Sequence, residues 1–292
     1  MNRFSICAAL ILGFLSVQPA LTQAQDIEVD AGRGPISVNV PPSYDASEPM
    51  PLVLLLHGYG SSGLIQEAYM AFTPLSDSRG FLYAAPDGLT DPGGSQYWNG
   101  TDACCDFYSD TDDSGYLRGL IESIQGELSV DDRRIYLIGH SNGGYMSYRM
   151  ACDHADLIAA IAPLAGVTWL DPAQCNPSEP VSVLHMHGTS DATVLYDGGC
   201  FSEDGLCYPG AVDTLNMWAD FNGCQGGSVR SGNFNYDRLR PGPETSARTN
   251  LDGCPDGGAL EFWKLKGSGH VPLFTDPWND AVIDFLLANP KP

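Results

Sequence analysis

Positive charge is scarce in this sequence. Among its 292 residues, 14 are Lys or Arg and 36 are Asp or Glu, so the formal net charge at pH 7 is −22. A surface of this sign repels phosphate backbones and anionic lipid headgroups. We therefore expect neither a nucleic-acid partner nor a membrane partner.

Apolar runs long enough to cross a bilayer comfortably are also lacking. The longest mainly apolar stretch, from Phe4 to Val17, follows the positive charge of Arg3 and precedes the small residues at 22–24. A charged start, a short apolar stretch and a small-residue site form the pattern of a cleaved secretory signal. We predict that residues 1–24 are a signal peptide and that the protein is secreted, to the periplasm or outside the cell.

Repeats, low-complexity tracts and Ser/Thr/Pro-rich linkers are absent, and 43% apolar with 17% charged residues is typical of a folded protein. We predict one domain over residues 25–292. Short apolar runs alternate with segments of helical spacing, and the runs lie at 52–56, 81–85, 135–138, 159–163, 181–187 and 260–265. This order favours an α/β fold with a mostly parallel sheet and helices on both faces. Ligands of such sheets bind at the carboxyl ends of the strands.

Cys-x-x-Cys pairs do not occur, although the chain has nine cysteines. Cys7 lies in the predicted signal, and the remaining eight, in an exported chain, indicate disulfides rather than a zinc site. By proximity we pair Cys200 with Cys207 and Cys224 with Cys254. The pairing of the other four stays open: Cys104, Cys105, Cys152 and Cys175.

A Gly-x-Ser-x-Gly pattern follows the apolar run that ends at Ile138 and precedes a helical segment that reaches about Cys152. Its central residue is Ser141, between Gly139 and Gly143. This strand–turn–helix context is typical of a nucleophile elbow, in which glycines permit a strained turn that exposes the serine. We therefore predict that Ser141 is a nucleophile.

A serine hydroxyl needs a base to take its proton. His270 lies in a Gly-Ser-Gly-His loop directly after the apolar run at 260–265, where such a base is expected. For the other downstream histidines we predict structural roles. His154 is placed at the surface or at a helix cap, and His185 and His187 within a buried strand.

A catalytic triad also contains an acid that orients the histidine, and in this architecture the acid precedes the histidine in the sequence. Asp191 follows the run at 181–187, at the carboxyl end of a predicted strand, from which it can reach the second ring nitrogen of His270. The other candidate aspartates lie deeper in a loop or on a helix, where solvated roles are expected: Asp197, Asp204 and Asp213. We predict Ser141, Asp191 and His270 as the catalytic triad.

Acyl transfer also needs two backbone N–H donors for the developing oxyanion. Asn142, directly after the nucleophile, is one, and Tyr59 in the His-Gly-Tyr-Gly loop after the first buried run is the other. We expect His57 to brace that loop. Adjacent Asp112 and Asp113 are explained as helix caps rather than metal ligands, so we predict no metal and no cofactor.

These motifs resemble the secreted esterases grouped with polyhydroxybutyrate depolymerases and feruloyl esterases, in the first carbohydrate esterase family. The matching pieces span roughly residues 50–275: His57-Gly-Tyr-Gly60, Tyr97-Trp-Asn99, Cys104-Cys105, Asp112-Asp113, Gly139-His-Ser-Asn-Gly-Gly144, His187-Gly-Thr-Ser-Asp191, Tyr196-Asp-Gly-Gly199 and Gly267-Ser-Gly-His270. The resemblance implies a disulfide-stabilised α/β-hydrolase fold and cofactor-free ester hydrolysis through an acyl-enzyme. One piece departs from the family. The family's histidine is often followed by Trp-Pro, whereas His270 is followed by Val271-Pro272.

The sequence is compatible with three functions. The first is an esterase that releases feruloyl or other hydroxycinnamoyl groups from plant cell-wall polysaccharide, a polymeric or polymer-derived ester. The second is a polyhydroxyalkanoate depolymerase, which often carries a linker and a polymer-binding domain that we do not expect here. The third is a catalytically inactive hydrolase fold that acts as a binding module, which an intact triad disfavours. Trp98 and Trp169 lie in loops after strands, and we expect both to contact the substrate.

Overall fold

The computed structural model describes residues 26–105, 110–201, 206–250 and 253–292. The predicted signal peptide, residues 1–24, lies outside the described residues. Within these ranges, every helix is too short or too polar to cross a membrane.

Strands form the centre of the molecule. They are β1 (Ile27–Asp30), β2 (Pro35–Asn39), β3 (Met50–Leu56), β4 (Leu82–Ala84), β5 (Leu89–Thr90), β6 (Gln96–Tyr97), β7 (Val130–His140), β8 (Ala160–Leu164), β9 (Ser182–Gly188), β10 (Gly199–Cys200), β11 (Cys207–Tyr208), β12 (Ser228–Phe234), β13 (Thr245–Asn250) and β14 (Leu260–Leu265). Two short hairpins, β5–β6 and β10–β11, lie apart from the main sheet.

The main sheet has ten strands in the order β1-β2-β4-β3-β7-β8-β9-β14-β13-β12. Every neighbouring pair from β4 to β14 is parallel, and the pairs at both edges are antiparallel. The carboxyl ends of six adjacent strands therefore lie along one edge of the sheet, which is where the predicted reactive residues follow β3, β7, β9 and β14.

In the described part of the chain, six α-helices cover the sheet: α1 (Gly63–Met70), α2 (Thr73–Arg79), α3 (Asp113–Glu127), α4 (Asn142–Asp153), α5 (Ala211–Phe221) and α6 (Pro277–Ala288). Alternate residues of β3 enter opposite cores, with Leu54 packed among residues of α3, α4 and α5, and Val53 among residues of α6 and the α1–α2 segment. Period-two alternation of apolar side chains on both faces is the reason that these strands are continuous apolar runs in the sequence. The predicted α/β fold, with a mostly parallel sheet between two helical layers, is confirmed.

Four disulfides connect the described cysteines. The predicted pairs Cys200–Cys207 and Cys224–Cys254 are confirmed. The four cysteines whose pairing was not predicted form the disulfides Cys104–Cys105 and Cys152–Cys175. Cys152 lies in α4, so its disulfide attaches the segment after β8 to the helix that follows the nucleophile.

The sequence analysis did not identify β12 and β13. Most residues of β12 are exposed, and the strand forms the outer edge of the sheet, so no apolar periodicity marks it. These two strands form an antiparallel hairpin that continues the sheet beyond β14.

Candidate active site

Ser141 lies in a sharp turn between β7 and α4. Its backbone has φ 54° and ψ −119°, a conformation that is strained for a residue with a side chain. A Cβ atom at Gly139 would lie 2.1 Å from the Gly143 carbonyl oxygen, and one at Gly143 would lie 2.2 Å from the Leu56 carbonyl oxygen. Both elbow glycines are therefore required by close backbone contacts, as the pattern predicted.

The three predicted triad residues are in contact. His270 Nε2 lies 2.9 Å from Ser141 Oγ, and His270 Nδ1 lies 2.8 Å from Asp191 Oδ2. Since a carboxylate can only accept, Nδ1–H donates to Asp191 and Nε2 is left to accept the Ser141 hydroxyl proton. This arrangement supplies a nucleophile, a base and the group that orients the base.

Asp191 is held as a carboxylate. Its Oδ1 accepts the backbone N–H groups of Thr193, at 2.8 Å, and Val194, at 3.0 Å. Burial alone would raise the pKa of Asp191, but the hydrogen bond and charge of His270 outweigh that effect, and the pKa lies below its ordinary value. Of the other candidate acids, Asp197 and Asp213 are exposed, and Asp204 lies outside the described residues.

The loop after β3 passes beside the nucleophile. A Cβ atom at Gly58 would lie 3.5 Å from Ser141 Cβ, so a side-chain carbon at position 58 would be in van der Waals contact with the serine. The Gly58 N–H donates to Gln66 Oε1 at 3.2 Å, and the Gly60 N–H donates to the Gln96 carbonyl at 2.8 Å. These bonds fix the loop on both sides of Tyr59, whose backbone N–H stays our prediction for one oxyanion donor.

His57 also holds the loop after β3 in place. It is fully buried, its Nδ1–H donates to the Gly58 carbonyl at 2.8 Å, and its Nε2 accepts the Gly88 N–H at 2.9 Å. Both ring nitrogens are therefore used within the protein, in keeping with the bracing role predicted from the sequence.

Asn142, the second predicted oxyanion donor, is the first residue of α4, a position whose N–H has no partner inside the helix. Its side chain is fully buried and makes a two-point contact with the backbone of Trp98: Oδ1 accepts the Trp98 N–H and Nδ2 donates to the Trp98 carbonyl, each at 2.7 Å. The elbow is thereby attached to the segment that follows β6.

The two tryptophans expected to contact the substrate do not line the cavity beside Ser141. Trp98 is fully buried against His57, at 5.1 Å between ring centroids, because the Asn142 contact turns its segment inward. The expectation for Trp98 is therefore corrected. Trp169 is 7% exposed and borders a different cavity on the flank of α4.

The cavity beside Ser141 is largely apolar. It measures about 390 Å³, and its walls include Tyr59, Ile65, Tyr69 and Val271. Ile65 and Val271 are more than half exposed, so the opening has an apolar rim. Such a cavity accepts an apolar group next to the reactive hydroxyl.

His140, the variable residue of the elbow, was not singled out in the sequence. Its Nε2 lies 3.0 Å from the His270 carbonyl oxygen and therefore donates to it, with the two rings 5.1 Å apart. Burial, assisted by the nearby His270, lowers the pKa of His140 to about 4. The ring is neutral at neutral pH, and it fixes the backbone of His270, the predicted base, without competing for the proton of Ser141.

We expect His140→Phe to lower kcat/KM on an aryl ester by about ten- to a hundredfold, because misplacing a catalytic group by about 1 Å has effects of that size. His140→Gln should recover most of the loss, since an amide N–H can reach the same carbonyl. Measuring kcat/KM and the thermal midpoint for both variants separates positioning from packing. Equal activity of the two variants would contradict the role.

Two further contacts hold the His270 loop. Ser268 Oγ donates to the buried Asp237 Oδ2 at 2.7 Å, and Tyr69 Oη donates to the Pro272 carbonyl at 2.7 Å. Asp237 lies between β12 and β13, elements that carried no sequence signal. The Ser268–Asp237 bond was therefore not predictable before the hairpin was placed.

Two buried histidines of β9 lie behind the triad. His185 Nδ1 is hydrogen-bonded to Tyr148 Oη at 2.8 Å, and His187 Nε2–H donates to the Val194 carbonyl at 2.9 Å. Burial lowers the pKa of both histidines. The structural roles predicted for them agree with these bonds, and His187 supports the loop that carries Asp191.

Neutral buried histidines make stability depend on pH. Because the folded pKa values of His140, His185 and His187 lie below the unfolded value of about 6.5, their stabilisation is present above that pH and is lost as pH falls through each folded pKa, which for His140 is about 4. Each histidine contributes a slope of about 1.4 kcal/mol per pH unit within its window. Denaturant unfolding between pH 7 and 4.5 should show a falling free energy, and His185→Asn should make the slope shallower. An unchanged slope would exclude the contribution of His185.

Within the described residues, no three His, Cys, Asp or Glu side chains are grouped so that they could hold a metal ion. The reactive groups near Ser141 are those of the triad and the neutral His140.

Comparison with known proteins identifies relatives. The sequence profile of the prolyl oligopeptidase family matches residues 68–190. Feruloyl esterase B of Piromyces equi is 30% identical over 242 residues, which cover 81% of this chain and 42% of that protein, so the chain spans less than half of its length. The putative esterase NocK of Nocardia uniformis is 30% identical over 276 residues, covering 91% of this chain and 79% of NocK.

A solved structure gives the same fold. The acetyl xylan esterase from Aspergillus awamori superposes with a TM-score of 0.60 at 17% identity, covering 90% of this chain and 98% of that chain. Feruloyl esterase D of Neurospora crassa is 27% identical over 254 residues, covering 82% of this chain and 75% of that protein. With the parallel sheet, the serine elbow and 30% identity to NocK over 79% of that protein, the chain belongs to the same esterase family as NocK and has the α/β-hydrolase fold.

Proposed function

We propose that this chain is a secreted serine esterase that hydrolyses feruloyl or related hydroxycinnamoyl esters of plant cell-wall polysaccharide. The hydrogen-bond chain Ser141–His270–Asp191, which opens on an apolar cavity, carries the proposal. Relatives named feruloyl esterase B and feruloyl esterase D support the acyl group.

The geometry supports a two-step reaction. His270 Nε2 takes the hydroxyl proton as Ser141 Oγ bonds to the ester carbonyl carbon, and the oxyanion is stabilised by the N–H groups of Tyr59 and Asn142. When the carbonyl re-forms, the C–O bond to the alcohol breaks and His270 returns the proton to that oxygen. Water then attacks the acyl-enzyme with His270 again as base, and the acid leaves while Ser141 regains its proton.

The cavity suits a flat apolar acyl group. Tyr59 and Tyr69 offer aromatic surface, and Ile65 and Val271 offer aliphatic surface, beside the reactive hydroxyl. Where the family often has tryptophan after the histidine, Val271 leaves the cavity mouth more open, with 58% of that residue exposed. Substituted aromatic rings can therefore enter without displacing a large side chain.

A second candidate is a polyhydroxyalkanoate depolymerase. Exposed apolar side chains surround the cavity mouth, and Leu64, at 81% exposed, lies beside the cavity residue Ile65 on α1. An apolar rim of this kind could contact the surface of an aliphatic polyester. The four disulfides support export to an oxidising compartment for either substrate.

The test compares methyl ferulate, acetylated xylan and polyhydroxybutyrate on the same enzyme preparation, with Ser141→Ala as the control. We expect the highest kcat/KM on methyl ferulate. Preferred turnover of polyhydroxybutyrate would replace the first proposal by the second. A fluorophosphonate probe that fails to label the wild-type protein would show that the serine is not activated, which would favour a binding module.

A further inference from the structure

A second cavity, of about 300 Å³, lies on the flank of α4 and shares no lining residue with the cavity beside Ser141. Its lining is mainly polar, with one aromatic side chain: Asn99, Asp102, Arg149, Asp153, Trp169 and Gln174. We call it the flank cavity. The reaction proposed above uses none of these side chains.

Disulfides fix the walls of the flank cavity. The Cys152–Cys175 disulfide joins the residue before Asp153 to the residue after Gln174. Asp153 and Gln174 are therefore each held next to one end of the same covalent link. On the other wall, the Thr101 N–H donates to the Cys104 carbonyl at 2.7 Å, and Cys104 is bonded to Cys105. The cavity is therefore pre-formed, as ligand sites usually are.

Hydrogen bonds orient the polar side chains and leave other polar atoms available. Arg149 donates through Nε to Asp153 and through Nη1 to the Asn99 carbonyl, and no protein acceptor within the described residues contacts its Nη2. Gln174 donates through Nε2 to Asp102 at 3.2 Å, which leaves its Oε1 as an acceptor. Donors and acceptors are thus both present around one small space.

The lining selects for a neutral, hydroxyl-rich ligand. Two carboxylates, Asp102 and Asp153, accompany the single cation Arg149, so an anion is disfavoured. Sugar hydroxyls both donate and accept, which matches the mixed amide, guanidinium and carboxylate atoms. The C–H face of a sugar ring packs against aromatic surface, and Trp169, which is largely buried, supplies part of such a surface where it borders the cavity.

We propose that the flank cavity binds a sugar residue of the polysaccharide that carries the ester, an inference that rests on the proposed function. Arg149 follows Ser141 by eight residues in α4, about 12 Å along the helix axis at about 1.5 Å per residue. A short oligosaccharide spans that distance. The acyl group occupies the apolar cavity, and the glycan continues from Ser141 toward the flank cavity.

The first experiment compares two substrates that share one acyl group. The ratio of kcat/KM on a feruloylated arabinoxylo-oligosaccharide to kcat/KM on methyl ferulate isolates the sugar contribution. Gln174→Ala should lower this ratio by about threefold or more, because it removes one hydrogen-bonding side chain. Gln225→Ala makes the same change at an exposed glutamine outside the cavity and should leave the ratio at the wild-type value.

The second experiment measures binding without hydrolysis. Calorimetric titration of the Ser141→Ala protein with ester-free xylotetraose should give saturable binding, and adding Gln174→Ala to that protein should weaken it by about threefold or more. An unchanged substrate ratio in Gln174→Ala, or equal xylotetraose binding by both proteins, overturns the inference. Failure to hydrolyse methyl ferulate would instead overturn the proposed function, so the two failures are distinguishable.

Discussion

Replacing Ser141 by alanine will lower kcat by about 10⁴-fold or more, because proton transfer and covalent attack are lost together. Asp191→Asn should cause a loss of similar order, since an amide cannot stabilise the imidazolium and can favour the wrong tautomer of His270. The measurement is steady-state hydrolysis of a nitrophenyl ester, with circular dichroism to establish that each variant is folded.

A combined variant tests whether Ser141 and His270 act as one unit. Ser141→Ala with His270→Ala should be about as inactive as Ser141→Ala alone, because effects within a triad are not additive. Retention of more than about a tenth of wild-type kcat by Ser141→Ala, a barrier change of only about 1.4 kcal/mol, would remove Ser141 as the nucleophile.

Gly143→Ala will damage both stability and activity. The new Cβ would lie 2.2 Å from the Leu56 carbonyl oxygen and 2.7 Å from the His57 carbonyl oxygen. Both atoms are backbone, so relief requires α4 to move away from β3. Overpacking in a well-packed core costs about 1–3 kcal/mol, and more where neighbours cannot shift. We expect a lower thermal midpoint and at least about a hundredfold loss of kcat, because the same movement displaces Ser141 and the Asn142 N–H.

Gly119→Ala is the matched control. Gly119 lies inside α3, and a Cβ atom there would meet no atom within 4 Å. In a helix interior this change stabilises by about 0.5–1 kcal/mol, because alanine loses less conformational freedom on folding. The thermal midpoints of the two variants should therefore move in opposite directions, and Gly119→Ala should leave kcat at the wild-type value. A Gly143→Ala protein with wild-type melting and activity would show that the elbow is not as tightly packed as its contacts indicate.

The parallel core of the fold could be predicted from the sequence because its signals are local. Strands such as β3 and β7 are buried on both faces and appear as continuous apolar runs, and Ser141, Asp191 and His270 each follow such a run. Since parallel strands end at a common edge, residues far apart in sequence could be placed together without knowledge of the tertiary structure.

The features that could not be predicted depend on the direction of side chains and on contacts between distant residues. A loop position after a strand does not reveal whether Trp98 faces the cavity or the core, and its burial follows from the contact with Asn142, 44 residues away. The His140–His270 bond joins residues separated by 130 positions. Strand β12 has no apolar alternation because it is exposed at the sheet edge, so the hairpin that supplies Asp237 was not predicted.

The hydrogen bond from His140 to the His270 carbonyl connects the nucleophile elbow to the loop that carries the predicted base. His140 precedes Ser141 directly, so this bond ties the elbow to the backbone of the residue whose Nε2 lies 2.9 Å from Ser141 Oγ. The exposed side chains of Ile65 and Val271, by contrast, make no hydrogen bond in this connection. Sequence change at the cavity rim can therefore diversify the accepted acyl groups while the reacting atoms keep their alignment, and a library confined to the rim should yield many altered specificities and few inactive proteins.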